Sequence, residues 1–473
     1  MVYVVTDSLH CASHPSFGNS CRCQISQHYA LYMSAENKPA DTRTPVSNSV
    51  QMDEAAASTA PLINQDRLWD RLTELGAIGA YDDARTGLKG VRRLALTDEE
   101  KEGRDLVMGW MTEQGLTVSI DGIGNVYACL EGSDPSLAPV MMGSHIDSVA
   151  TAGRFDGCLG VLGGLEVLTV IAESGVKPRR SMIAAFFTDE EGVRFGTDML
   201  GSAAAVGRLT PEEALSRADR DGVTVREELV RHGHLGSAPW LTENTPYAYL
   251  ECHIEQGPVL QESGHRLGVV TGVQGISWWR ISIGGAAAHA GCTPMAMRRD
   301  SGLALSLLRS RMNALCDSIP GLLCNFGLLR TTPGLTNVIP DTAEATIDLR
   351  HPEEAQLRRA EEAMHRIIAE SIEFAKCELL ELKQTARTEP VVFHPDIVSA
   401  VEREIKAIGV ETRRLVSGAG HDAQELASIA PSGMIFVRGQ NEGVSHSPRE
   451  FSLKEDCADG VQVMCRIACS LAV

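Results

Sequence analysis

The sequence predicts an α/β fold, a mixed and mostly parallel sheet flanked by helices, with an inserted ferredoxin-like α+β unit. Three observations predict it. Short apolar runs, such as residues 139–143 and 181–187, alternate with helix-patterned stretches. That alternation belongs to strands buried on both faces beneath crossover helices. Between about 275 and 386 the order changes to β-α-β-β-α-β, that of a split βαβ sandwich. The first pattern then resumes, so the second unit interrupts the first. A chain of 473 residues has room for two or three such units.

The elements follow in order. Residues 1–62 mix Ser, Thr, Asn, Pro and Ala with little periodicity, and are expected to be disordered. They read as an upstream extension, with translation expected to start at Met33 or Met52. Residues 64–75 predict a helix with Leu68, Leu72 and Leu75 on one face. Residues 97–114 predict another, opened by Thr97-Asp-Glu-Glu with carboxylates in its first turn. Residues 139–143 read as a strand, Asp156 as a possible cap of a helix through Leu162, Leu165 and Leu168, and 181–187 as the next strand. In the inserted unit, strands are expected at 276–284, 323–331, 343–350 and 377–385, with helices at 298–316 and 353–374. A core strand at 432–437 and a closing helix at 453–471 complete the chain. The predicted divisions are 1–62, 63–274, 275–386 and 387–473.

A formal net charge of −19 argues against nucleic acid or an anionic membrane as partner, because no basic excess can neutralise phosphates. No apolar run reaches the ~20 residues that span a bilayer. The 13 cysteines are scattered and odd in number, and no secretory apolar segment precedes them. Reduced thiols in the cytoplasm are therefore expected.

Polar bursts stand at the ends of the apolar runs: Gly-Ser-His145-Ile-Asp147-Ser, Phe-Asp156-Gly and Phe-Phe-Thr-Asp-Glu190-Glu191-Gly. Further on come His253-Ile-Glu255-Gln256-Gly and Gly-Val-Ser-His446-Ser-Pro. The carboxyl ends of strands are where open α/β sheets place their sites. Imidazoles and carboxylates gathered there suit one or two divalent metals and an activated water. Taken singly, each burst has a plainer reading. Asp156 can cap a helix, Glu190 and Glu191 can open a solvated one, and His253 and His446 can be satisfied structural histidines. His289 can sit in a plain turn, and Arg350 can pair with Asp348 at the surface. The chemical reading is coherent, however. A ligating imidazole needs its second nitrogen held, and Asp147 is placed to do so. Asp156 has two oxygens and can bridge two cations. Glu190 and Glu191 repel unless something cationic lies between them, so one can bind metal while the other takes a proton from water.

In this order, and joined by His289-Ala-Gly-x-Thr-Pro-Met, Thr336-Asn337-Val-Ile-Pro and Gly-Ala-Gly-His421-Asp422-Ala, the motifs resemble a family of metal-dependent amidohydrolases. That family contains N-carbamoyl-L-amino-acid hydrolases, allantoate amidohydrolases and β-ureidopropionases, relatives of the aminoacylase and carboxypeptidase metalloenzymes. The resemblance runs from about residue 64 onward. It implies two divalent metal ions, one held by His145, Asp156 and His253, the other by Asp156, Glu191 and His446. Asp147 is then expected to orient His145, and Glu190 to be the general base. Gln256, His289, Asn337 and Arg350 are the implied substrate set. Arg350 with Asn337 is to clamp a carboxylate. His289 is to stabilise the oxyanion from across a homodimer, with 275–386 as lid and dimerisation unit. Mixed imidazole and carboxylate ligation suits zinc, with manganese, cobalt or nickel as other occupants.

The implied reaction is hydrolysis of an N-carbamoyl-L-amino acid to the L-amino acid, ammonia and carbon dioxide. Allantoate and N-carbamoyl-β-alanine are alternative substrates, and a non-catalytic metal-bound binding protein is the alternative from another class. Ala288 and Cys292 depart from the family pattern and bear on substrate preference. Cys158 and Cys252 adjoin the ligands and, if accessible, would make the protein sensitive to thiol reagents.

Overall fold

The structure, a computed structural model, describes residue 46 and residues 49–473. The expectations for residues 1–45, 47 and 48 lie outside the described residues. Residues 49–62, expected to be disordered, are instead packed down. Asp53 accepts the N–H groups of Ala55 and Ala56 and so caps the helix Glu54–Ser58. Its own N–H donates to Ser470 O at 2.9 Å, and the Gln51 N–H donates to Tyr247 Oη at 2.7 Å. The attachment uses main-chain groups and the irregularly spaced Val50, Met52, Ala57 and Ala60, which leave no apolar periodicity to read.

Helices begin where capping chemistry allows. Asn64 accepts from the N–H groups of Asp66 and Arg67 at the start of Gln65–Leu75. Thr97 caps Asp98–Glu113 in the same way. Leu68, Leu72 and Leu75 are at most 1% exposed, and each contributes roughly 1.5–3 kcal/mol by burial.

Among the described residues, the larger sheet has nine strands. At its centre, Met182–Phe187, Val140–His145, Ala248–Ile254 and Ser432–Val437 lie side by side and parallel. Nearly every residue in these four is buried, so they read as continuous apolar runs. Antiparallel strands extend both flanks, giving a mixed sheet. The helix Cys158–Ser174 packs on this centre and is buried without a break from Cys158 to Ile171. It opens at Gly157 with no side-chain cap, so the capping reading of Asp156 does not hold.

Residues 275–388 form a second, five-stranded antiparallel sheet. In space its order runs Leu323–Asn325, Thr342–His351, Gly275–Gly284, Glu378–Thr388, with Leu329–Thr332 also paired to Thr342–His351. The single strand expected near 323–331 is thus two. Thr342–His351 alternates half-buried and buried residues along its length. Its buried face meets the helices Ser301–Ser318 and Glu354–Ala375 in a separate core around Ile283, Leu308, Ile347 and Met364. The segment leaves the larger sheet after Val273 and re-enters at Val391, and these two residues are register partners. Gly272 permits that approach, since a Cβ there would lie 2.2 Å from Val391 O.

Candidate metal centre

The four central strands deliver the site from their carboxyl ends. His145 closes one strand, and its Nδ1 lies 3.0 Å from Asp147 O. His253 is next to last in another, and its Nδ1 lies 2.9 Å from Ile254 O. An imidazole that gives its Nδ1 proton to a carbonyl keeps a lone pair on Nε2. Both Nε2 atoms face Asp156 Oδ1, at 3.7 Å from His145 and 3.2 Å from His253. Asp156 Oδ2 lies 3.2 Å from His446 Nε2, which is itself 3.3 Å from Glu191 Oε2. Two atoms bound tetrahedrally to one ion at ~2.0–2.1 Å stand roughly 3.4 Å apart, the spacing these pairs have. His145, Asp156 and His253 form one group that can hold a metal ion, and Asp156, Glu191 and His446 form another. Asp156 belongs to both.

The charges call for a cation as well. Burial pushes Glu190 well above the ordinary carboxylate range, and Asp422, Glu191, Asp147 and Asp156 push it further. Glu191 rises through burial and then through Asp156 and Asp147. Burial takes His145 down to about 4. It opposes the charge on His253 too, but the adjoining Asp156 holds that ring up at about 9. A divalent cation held by these residues would offset this repulsion, and its binding would compete with protonation of His253.

The His145 ring meets the main-chain carbonyl of Asp147 and not its carboxylate, whose Oδ1 stands 3.6 Å from the ring. The carboxylate instead accepts the N–H groups of Glu190 and Glu191, each at 3.3 Å. Glu190 Oε2 then reaches within 3.4 Å of His145 Nε2. Asp189, Gln256 and His446 all have φ of 55°, and left-handed backbone in non-glycine residues gathers at functional sites.

Glu450 and Ser445 complete the arrangement and were missed in the sequence. Glu450 is buried; its Oε1 accepts the N–H groups of Phe155 and Asp156 at 2.9 and 3.2 Å. Ser445 Oγ lies 2.7 Å from Glu450 Oε2 and 2.9 Å from Asp156 Oδ2. The available signal was another acid four residues after His446 in a polar loop. A third group, Glu251, His253 and His421, also has ligand atoms close together. Its outer members are engaged: Glu251 accepts from Ser144 Oγ and Ala423 N, and His421 Nε2 meets Ser417 Oγ at 2.8 Å. We read it as support behind His253. Cys158 and Cys252 are buried, and burial pushes the Cys158 thiol up to about 11 and Cys252 higher. The condition for their reactivity, access, is not met.

The expected substrate residues divide into two pairs. Gln256 Nε2 donates to Asp156 Oδ2 at 2.8 Å, and its Oε1 is buried without a partner among the described residues. Arg350 lies on the second sheet. Its Nε and Nη2 meet Asp348 at 3.0 and 2.9 Å, a half-buried pair in place of the surface pair, while Nη1 donates to Gly418 O at 2.7 Å. Gln256 and His446 line one side of a cleft of about 730 Å³, and Arg350 lines another. His289 and Asn337 do not line it. They are exposed on the ribbon that pairs Ala288–His289 with Val338–Ile339, where the Ala290 N–H donates to Asn337 O at 2.9 Å.

A mixed sheet whose parallel central strands and following loops gather three imidazoles around a shared carboxylate defines an α/β protein with groups that can hold metal ions. The chain belongs to peptidase family M20/M25/M40, whose profile matches residues 141–470. It is 40% identical over 415 residues to the N-carbamoyl-L-amino acid amidohydrolase of Geobacillus stearothermophilus, covering 87% of this chain and 99% of that protein. A ureidoglycolate hydrolase of Oryza sativa subsp. japonica is 31% identical, over 85% of this chain and 84% of its own length. Among solved structures, an amidase of the hydantoinase/carbamoylase family from Burkholderia multivorans matches with a TM-score of 0.83 at 40% identity. That match covers 87% of this chain and 98% of the other. No helix among the described residues is long and apolar enough to cross a membrane.

Proposed function

We propose that the protein is a binuclear-metal amidohydrolase cleaving the carbamoyl C–N bond of an N-carbamoyl-L-amino acid. The products are the L-amino acid, ammonia and carbon dioxide. The observation that carries this reading is the single carboxylate of Asp156, set between the paired histidines on one side and Glu191 with His446 on the other. The 40% identity to an N-carbamoyl-L-amino acid amidohydrolase over most of both chains supports the substrate class.

His145, Asp156 and His253 would hold one ion and Asp156, Glu191 and His446 the other, zinc being the best match to the donors. Two such ions polarise a ureido carbonyl and acidify water near neutral pH. Glu190, fixed by the Asp147 bond to its N–H, takes the water proton and returns it to the leaving nitrogen. Gln256 Oε1 is free to accept an N–H of the carbamoyl group. Arg350 receives the substrate carboxylate by exchanging one of its present partners.

His289 and Asn337 are assigned to the site of a second copy. Their exposure supports this, as do Met295 and Met297, each 72% exposed, and Leu335 at 58% in the same stretch. Exposed apolar side chains mark interaction surfaces, and a second copy is the occupant proposed for this one. The unit at 275–388 is then both lid and dimerisation surface, and the enzyme acts in the cytoplasm without nucleic acid or membrane.

The test is release of ammonia from N-carbamoyl-L-amino acids by purified protein, lost with chelator and restored by zinc, manganese or cobalt. No release with any metal overturns the reading. The ureidoglycolate hydrolase relative supports a second substrate, and ureidoglycolate belongs in the same panel.

A further inference from the structure

His446, Gln256 and Arg350 account for only part of the cleft. Among the other lining residues is an apolar set: Pro258 and Val259 after the Gln256 turn, Leu323 on the second sheet, and Leu415 and Val416 on the strand Thr412–Ser417. We propose that this wall receives the substrate's side chain, that the side chain is large and apolar, and that Leu323 and Val416 determine that specificity. The proposal rests on the hydrolase reading above.

Position supports it first. Leu323 is the register partner of Arg350 in the antiparallel ladder. Directly opposed residues project from the same face with Cβ atoms ~5 Å apart. Val416 stands two residues before Gly418, whose carbonyl takes the Arg350 Nη1 proton at 2.7 Å. The bridge from Arg350 to Gly418 therefore has an apolar side chain close by on each side. A carboxylate and a side chain leave the same carbon of an amino acid. A carboxylate held at Arg350 places the side chain within reach of Leu323 and Val416.

Exposure supports it second. Leu323 is 57% exposed, Val259 39% and Val416 38%. Apolar groups held open to water at a cleft gain free energy when a ligand covers them.

The polar groups support it third, because most are already engaged. Asp348 is paired with Arg350. Gln274 donates to Gly418 O at 3.2 Å, and Glu255 accepts the N–H groups of Val259 and Leu260 at 2.7 and 2.8 Å. Asn325, exposed, and Gln256 Oε1 are exceptions. A charged substituent or second ureido group would lose water here and find little in return. A substrate with no side chain, such as N-carbamoyl-β-alanine, would leave the wall wet.

The test is kcat/KM for the N-carbamoyl derivatives of glycine, L-alanine, L-leucine, L-methionine and L-aspartate, with N-carbamoyl-β-alanine beside them. The expected result is a value about tenfold or more higher for leucine and methionine than for alanine, with aspartate and β-alanine below alanine. Leu323→Ser and Val416→Ser should each lower the leucine-to-alanine ratio several-fold. A flat or inverted profile in an enzyme that does turn over overturns the side-chain assignment and leaves the hydrolase reading standing. So does an unchanged ratio in both folded variants. Should a variant fail to fold, the wild-type profile decides. No turnover of any carbamoyl compound overturns the hydrolase reading and this assignment together.

Discussion

Glu450 holds Asp156 from two sides: it accepts the Asp156 N–H at 3.2 Å, and through Ser445 Oγ it reaches the Asp156 carboxylate. The loop bearing His446 is thereby tied to the loop bearing the carboxylate common to both candidate metal groups. Glu450→Ala removes the tie while leaving every proposed ligand in the sequence. Supporting residues of this kind typically cost 10–100-fold in metal affinity, on the order of 1–3 kcal/mol. Titration calorimetry with zinc should show a loss in that range, and unchanged affinity would remove Glu450 from the account.

Glu190→Gln separates metal holding from proton transfer. The amide keeps the side chain's shape and its main-chain bond to Asp147 but cannot accept a proton from water. Metal content should stay at the wild-type level while kcat falls about 10²–10⁴-fold. Near-normal turnover would refute its role as base.

Gly157 is required by contact. Its φ is +65°, and a Cβ there would come within 2.5 Å of the His145 ring. Gly157→Ala must displace that ring or the loop, so the variant should bind less metal and melt at lower temperature. Differential scanning calorimetry with metal analysis checks both.

His234 gives a pH dependence away from the metal centre. Burial, then Arg104, takes it down to about 4, with Asp105 opposing. The unfolded chain binds its proton near ~6.5. The folded value is the lower one, so the stabilisation is complete above the unfolded pKa and is lost as pH falls from ~6.5 toward 4. His234→Gln should flatten the urea midpoint across that window. An identical slope in variant and wild type would show that His234 contributes nothing there.

Much of this was legible in the chain because parallel-sheet physics writes itself plainly. Buried strands are unbroken apolar runs, and the site residues His145, Asp147, Glu190 and His253 fall where those runs stop. Glu450 and Ser445 were not legible, since their role depends on which distant N–H groups they meet. Asp156 was ambiguous for a local reason: an acid before a helix reads as a cap until its side chain is seen turned toward His253. The helices Pro211–Leu215 and Val225–His232 passed unread although each opens with a capping box, Thr210 with Glu213 and Thr224 with Glu227; their apolar faces are too short to carry a period. His289 and Asn337 share one ribbon away from the cleft of their own chain, and no sequence pattern marks that.

The sharing of Asp156 is tested most directly by counting metal. Elemental analysis of purified protein, loaded with zinc and freed of excess, should find two ions per chain in the wild type and fewer than one in Asp156→Ala. Two ions retained without that carboxylate, or none in active wild-type enzyme, would contradict the account.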